Sequence, residues 1–149
     1  MRIAAIDPGG TSGLAVIDTP IDVVLTMQHR DLMRVMEEVV KLEPDELVVE
    51  KFVVYPEAAR LMGWSRTPAE LVGIIKSMAE QFGIPVVEQA PSQKHGAFKL
   101  LKPLGLWKPK MGHAMDALAH AVYRSLYGHG YEKDPAVQAK LQQFLLEVE

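Results

Sequence analysis

Short apolar runs separated by turn residues dominate the start of the chain. The first run, Ile3–Ile6, ends on the acid Asp7, and Pro8–Gly10 then breaks the strand because proline lacks an N–H and glycine permits positive φ. A second run, Gly13–Ile17, follows at hairpin distance, and Asp22–Met27 is a third strand-like segment. The short connections between these runs predict an antiparallel meander.

Helical periodicity begins after the meander. Asp31 is a candidate N-cap for a helix that Pro44 stops, and apolar residues recur between them at helical spacing. A fourth strand is predicted at Glu46–Phe52, with the acid Glu50 near its carboxyl end. The apolar stripe of a second helix runs from Pro68 to Phe82.

The second half of the chain continues this alternation of strands and helices. A fifth strand is predicted at Ile84–Glu88, where proline indicates an edge position. A helix is then expected over Pro91–Leu101, and prolines and glycines make Lys102–Gly112 a loop. Two further helices are predicted, one at Met111–Tyr127 and an amphipathic one at Pro135–Val148.

The order of these elements predicts an α/β fold. Three consecutive strands followed by alternating helices and strands indicate a five-stranded mixed sheet, a three-strand antiparallel meander plus two parallel strands, flanked by helices. We expect one domain over residues 1–149, with a C-terminal helical extension from about 134. Ligands gather at the carboxyl ends of parallel strands in such sheets, which is where Asp7 and Glu50 fall.

Composition limits the functional classes. The chain has no cysteine, which excludes a disulfide scaffold, a thiolate metal site and a cysteine nucleophile. We find no signal-peptide layout and no apolar run near the roughly 20 residues of a membrane span, so no membrane partner and a cytoplasmic location are expected.

One segment of the chain is basic although the net charge is −3. Between Gln89 and Met115 there is no Asp or Glu. Five lysines lie in this window, at positions Lys94, Lys99, Lys102, Lys108 and Lys110. A basic segment on an acidic body fits a phosphate-binding surface, and it equally fits a solvated lysine-rich surface.

Four residues, distant in sequence, form the candidate site. His113 and Asp116 lie three residues apart on one helical face and could meet Asp7 and Glu50 at the sheet edge. Three neighbouring carboxylates repel one another, and a divalent cation resolves that conflict. Oxygen-rich ligands favour Mg²⁺ or Mn²⁺ over a tetrahedral zinc site.

Each of these residues also has an ordinary structural explanation. Asp7 could cap the glycine turn, and Glu50 could pair with Lys51 or Arg66. Asp116 could balance the helix dipole, and His113 could simply be a residue at the helix N-terminus. Two other histidines, His95 and His120, are expected at the surface or the rim of the site.

Four segments carry a resemblance to a known family: IDPGGTSGLAVID, LVVEKFVV, IPVVEQAPSQKHG and GHAMDALAHAV. In that order they resemble the opening strand and turn, the second acidic strand, the strand and basic helix start that follow it, and the last acidic motif of RuvC-type Holliday junction resolvases of the RNase H-like superfamily. The resemblance implies metal-binding carboxylates at Asp7, Glu50 and Asp116. It also implies an Asp-or-His position at His113 and a basic residue near the scissile phosphate at Lys94.

The resemblance also implies an activity. It is metal-dependent cleavage of phosphodiester bonds in branched DNA, with two Mg²⁺ (or Mn²⁺) ions per active site and a homodimer acting on a four-way junction. The helix Pro68–Phe82 is our candidate dimer interface, with Met78 and Phe82 as contacts. The expected DNA-binding residues are Lys94, Lys99, Lys102, Lys108, Lys110, Arg60 and Arg66, with Trp64 beside them.

Other functions remain open at this point. IDPGGTSG is also similar to the phosphate loop of the actin and sugar-kinase superfamily, which would make the chain a nucleotide-binding protein. A related nuclease that prefers flaps, forks or RNA–DNA hybrids, and a non-catalytic DNA-binding relative, are further alternatives.

Overall fold

The computed structural model describes residues 1–51 and 68–148, and the predicted order of elements is confirmed across them. The strands are β1 (Arg2–Asp7), β2 (Ser12–Asp18), β3 (Asp22–His29), β4 (Glu46–Glu50) and β5 (Val86–Gln89). The helices are α1 (Leu32–Leu42), α2 (Pro68–Gln81), α3 (Pro91–Phe98), α4 (Gly112–Tyr123) and α5 (Pro135–Val148). A π-helical turn, Arg124–Gly128, extends α4. None of the helices in the described ranges has the length and apolar character that a membrane span requires.

The five strands form one mixed sheet in the order β3-β2-β1-β4-β5. The first three are antiparallel neighbours, whereas β4 runs parallel to β1 and β5 runs parallel to β4. In this register Ile6 lies beside Val49, and Glu50 lies beside Gln89. The carboxyl ends of β1, β4 and β5 therefore meet at one edge of the sheet, and the predicted fold class is confirmed.

Alternating side chains divide the sheet into two apolar faces, as the period of two in a strand requires. One face, with Ala4, Ile6 and Val49, packs against α1 and α2. The other face, with Ile3, Ala5 and Val48, packs against α3 and α4. By the same alternation, Asp7 and Glu50 lie on the face that α4 covers.

Among the predicted boundaries that differ from the structure are those of β5 and α3. The strand β5 begins two residues later than expected and extends to Gln89. The helix α3 ends at Phe98 rather than Leu101, because the chain tightens into turns in which Leu101 N–H bonds to the Phe98 carbonyl at 3.2 Å. Leu101 still faces the core and is fully buried. Helical spacing therefore identified a core position correctly in a segment that is a turn.

Close contact between β2 and the start of α4 depends on Gly13. A Cβ atom at this position would lie 2.0 Å from the carbonyl oxygen of His113 and 2.7 Å from the backbone nitrogen of Ala114. Both of those atoms belong to the helix backbone, which cannot move aside as a flexible side chain can. The absence of a side chain at Gly13 therefore lets the first turn of α4 approach the sheet.

We expect Gly13→Ala to lower the free energy of unfolding by about 1–3 kcal/mol or more, because α4 must shift to admit a methyl group. Urea denaturation measures this loss. Gly10→Ala is the matched control, since a Cβ atom there meets nothing within 4 Å. Equal stability of the two variants would show that α4 does not depend on this contact.

Candidate active site

Two buried acids mark the carboxyl ends of the central parallel strands. Asp7 ends β1 and is 7% exposed, and Glu50 ends β4 and is 3% exposed. Neighbouring strands lie about 4.8 Å apart, so the register alone brings these two carboxylates close together. The structure therefore confirms that the first two predicted acids share one edge of the sheet.

Helix α4 supplies the opposing side of the site. His113, Asp116 and His120 recur at three- and four-residue spacing and face the sheet edge. His113 Nδ1 lies 3.6 Å from Asp7 Oδ2, and His120 Nε2 lies 3.2 Å from Glu50 Oε1. His113 remains half exposed at the mouth of the site, whereas His120 is completely buried.

Lys94 connects the acids of the sheet to the acid of α4. Its ammonium lies 2.9 Å from Glu50 Oε1 and 3.8 Å from Asp116 Oδ2, and its side chain is 15% exposed. A positive charge near the N-terminus of α3 opposes the helix dipole. The two carboxylates offset that cost, which explains why a lysine occupies this position.

The electrostatic balance of the site differs from one acid to the next. Burial, followed by repulsion from Glu50, raises the pKa of Asp7 to about 6, and the nearby Lys94 only partly offsets this. Burial also acts to raise the pKa of Glu50, but hydrogen bonds from His120 and Lys94 outweigh it and the pKa is lowered. Burial acts to lower the pKa of Lys94, but the hydrogen bond to Glu50 and the charges of Glu50, Asp116 and Asp7 together outweigh it, and the pKa is raised. Asp7 is thus the acid with too little positive charge around it.

The donor set has the chemistry that a hard divalent cation requires. Asp7, Glu50 and Asp116 offer carboxylate oxygens, and the pKa of Asp7 is raised by burial and then by the neighbouring charge of Glu50. Within residues 1–51 and 68–148, however, no three acidic or histidine side chains already stand together as a ligand group. Lys94 bridges Glu50 and Asp116 instead, so ligation would require the side chains to adjust.

The other predicted DNA-binding lysines lie outside this cluster. All four are exposed: Lys99, Lys102, Lys108 and Lys110. Lys102 lies 5.4 Å from the ring centre of Trp107, and Lys108 donates to Thr26 Oγ1 at 3.2 Å. Both belong to the loop that leads from α3 to α4. The three expected contributors Arg60, Trp64 and Arg66 lie outside the described residues.

The prediction for His120 is wrong. It was expected at the surface or rim, but it is fully buried and bonds both Glu50 and Gln89, whereas His95 is exposed as predicted. The expected pairing of Glu50 with Lys51 is also wrong, because among the described residues Glu50 contacts Lys94 and His120. The sequence did indicate the position of His120. It follows Asp116 by four residues, and this spacing places it on the same helical face as His113 and Asp116.

Sequence reasoning also missed Gln89. It ends β5 as Glu50 ends β4, and the two are direct neighbours in the sheet. Its amide nitrogen lies 2.9 Å from His120 Nδ1 and donates to the His120 carbonyl at 3.1 Å. The predicted strand stopped one residue short of it.

Comparison with known proteins supports the fold. No protein-family model matches the chain, and no curated protein matches it significantly in sequence. Among solved structures, RuvC of Thermus thermophilus aligns with a TM-score of 0.67 at 20% identity, over 87% of this chain and 96% of RuvC. The chain has a RuvC-like fold. The structure of T. thermophilus RuvC in complex with a Holliday junction substrate aligns at 0.66 and 24% identity, over 87% of this chain and 96% of that one. A Fowlpox virus resolvase in complex with Holliday junction DNA aligns at 0.58 and 12% identity, over 90% and 100% of the two chains.

We expect Asp7→Asn to stabilise the metal-free protein at neutral pH. Because the pKa of Asp7 is raised to about 6 on folding, its ionisation destabilises the fold as the pH rises from about 4 to about 6. The variant should gain up to about 3 kcal/mol at pH 8 and nothing below about pH 4. Thermal melts in EDTA at both pH values measure the difference. If the variant were less stable than the parent at pH 8, the ionised carboxylate of Asp7 would not be destabilising the fold.

Proposed function

We propose that this chain is a metal-dependent, structure-selective endonuclease that cleaves branched DNA, with the four-way junction as its preferred substrate. The observation that carries the proposal is the convergence of Asp7, Glu50, Asp116 and Lys94 at one sheet edge of a RuvC-like fold. The structures of two neighbours hold Holliday junction DNA, which supports the choice of substrate.

The acids are assigned to hold two Mg²⁺ (or Mn²⁺) ions, with His113 as the fourth ligand. When bound, these ions would supply Lewis-acid stabilisation of the phosphoryl oxygens and a water of lowered pKa. Asp7 would contribute to holding the ions because it lies between Glu50 and His113 and has too little positive charge around it. His113 is exposed enough to meet a phosphodiester that approaches the mouth of the site.

Lys94 is assigned a direct role in the chemical step. Its desolvated ammonium would donate to a non-bridging oxygen of the scissile phosphate, where negative charge grows in the transition state. The carboxylates of Glu50 and Asp116 hold it in place before DNA arrives. Such a preorganised donor assists cleavage more than it assists binding, because the charge that it meets develops only during the reaction.

The exposed lysines of the loop between α3 and α4 are assigned to the DNA backbone. Lys99, Lys102, Lys108 and Lys110 extend the positive charge away from Lys94. Phosphate contacts of this kind release counterions, so affinity should fall steeply as the salt concentration rises. They orient the DNA without reading its sequence.

A homodimer would present two such sites to one junction. The candidate interface is α2 with the residue that follows it, since Phe82 is 55% exposed and lines an apolar groove of about 280 Å³ with Met33 and Met78. Cleavage of both strands of a four-way junction requires two active sites, which is the functional reason to expect two copies.

The proposal predicts cleavage of labelled four-way junctions in Mg²⁺ or Mn²⁺ and none in EDTA. Asp7→Asn, Glu50→Gln and Asp116→Asn should each abolish cleavage, whereas Asp22→Asn should retain it. Asp22 is the matched control because it is exposed at the opposite end of the sheet. Flap, duplex and RNA–DNA hybrid substrates belong in the same assay. Activity that survives EDTA or Asp7→Asn would refute the metal-carboxylate site, and a preference for flaps would refute junction specificity alone.

Lys94→Met should reduce the single-turnover rate about 100-fold or more while it changes junction affinity only a few-fold. Lys99→Ala is the control with the opposite expectation, a weaker affinity and a shallower salt dependence with the rate at saturation retained. Gel-shift titrations in EDTA give affinity, and quenched-flow cleavage gives the rate. If Lys94→Met lost rate and affinity equally, Lys94 would act only as a contact to the DNA backbone.

A further inference from the structure

A buried hydrogen-bond chain stands behind the candidate site. His120 is fully buried, and each of its ring nitrogens has one polar side-chain partner. Nε2 faces Glu50 Oε1 at 3.2 Å, and Nδ1 faces the side-chain amide of Gln89 at 2.9 Å. Glu50 and Gln89 end adjacent parallel strands, so these hydrogen bonds connect two strand ends through one imidazole on α4.

The backbone determines which way the protons lie in this chain. The amide atom of Gln89 that faces Nδ1 also lies 3.1 Å from the carbonyl oxygen of His120. A carbonyl oxygen only accepts, so this atom must be the NH₂ group. The NH₂ group then donates to Nδ1, which must accept. The remaining proton of a neutral imidazole therefore resides on Nε2, from which it is donated to Glu50.

His120 therefore meets Glu50 through an N–H donor at Nε2, while its Nδ1 is occupied by the amide of Gln89. The positive partner of Glu50 in the described parts of the chain is Lys94.

The contacts also orient the carboxylate. His120 and Lys94 both bond to Oε1 of Glu50, and no described residue hydrogen-bonds to Oε2. One oxygen is thus held by the protein, and that hold limits the rotation of the carboxyl group. As far as the described residues go, the second oxygen keeps its lone pairs for another ligand.

We propose that His120 and Gln89 are positioning residues, which hold one carboxylate oxygen of Glu50 so that this acid is oriented to bind the divalent cation of the proposed nuclease site. The inference rests on the proposed function, because it gives Glu50 a cation to bind. Neither residue touches the substrate. Loss of groups that orient a metal ligand typically costs about 10–100-fold in metal affinity or activity.

Two variants of His120 separate positioning from space filling. His120→Leu introduces an apolar side chain of similar size and removes the donor to Glu50. His120→Gln places an NH₂ donor near the position of Nε2. We expect Mn²⁺ affinity, measured by calorimetry without DNA, to fall about 10–100-fold in His120→Leu and to recover in large part in His120→Gln. Junction affinity in EDTA should stay at the parent value in both.

Ser125→Ala is the matched control for the loss of a buried hydrogen bond. Ser125 is fully buried on the π-helical turn that follows α4, and its hydroxyl donates to the Pro20 carbonyl, far from Glu50 in the sheet. This variant should lose stability and keep its Mn²⁺ affinity. If His120→Leu does not fold, as judged by circular dichroism, His120→Gln and Gln89→Met carry the same comparison.

The protonation pattern has its own measurement. In ¹⁵N-labelled protein, the imidazole resonances of His120 should show a proton on Nε2 and an accepting Nδ1, and Gln89→Met should allow the Nδ1–H form to appear. A proton on Nδ1 in the parent would overturn the proposal. So would a folded His120→Leu variant with unchanged Mn²⁺ affinity. Parent protein that neither binds Mn²⁺ nor cleaves junctions would refute the proposed function, while the resonances would still decide the hydrogen-bond chain.

Discussion

The repulsion between two carboxylates at neighbouring strand ends is the constraint that organises this molecule. Parallel pairing of β1 and β4 places Asp7 beside Glu50 in a mostly buried position. Burial and mutual repulsion raise the pKa of Asp7 to about 6, so the folded chain holds an acid in an unfavourable environment. Strongly perturbed groups in a cleft are candidates for a functional site, because such sites use burial and like charges to shift pKa values.

The surrounding elements moderate that repulsion without removing it. Lys94 offers its ammonium to Glu50 and Asp116, and His120 adds an N–H donor to Glu50. These contacts lower the pKa of Glu50, while Asp7 retains its raised value. The negative charge of the site is therefore only partly compensated: Glu50 has cationic and N–H partners, whereas Asp7 has too little positive charge around it. This state suits a site that receives a cation.

Residues on α4 and in the segment after it contact both ends of β4. The polar stripe of α4 meets Glu50 through His120 at the carboxyl end of the strand. At the other end, Arg124 just beyond α4 and His129 hold Glu46 with contacts of 2.8 Å each, and the pKa of Glu46 is lowered because these hydrogen bonds outweigh its burial. Each end of this buried strand thus carries an acid that is anchored from the same side.

The amino-acid sequence by itself determined the elements and most of the chemistry. Periods of two and of three to four gave the strands and helices, and acids at strand ends with the motif His113–Asp116 identified the candidate site. The sequence did not determine what each acid would touch. His120 resembled a surface histidine, and Gln89 fell beyond a predicted strand. Their roles depend on parallel register, which sets Glu50 beside Gln89, and on the close approach of α4 that Gly13 permits. Register and helix approach arise from contacts between distant segments, so only the tertiary structure decides them.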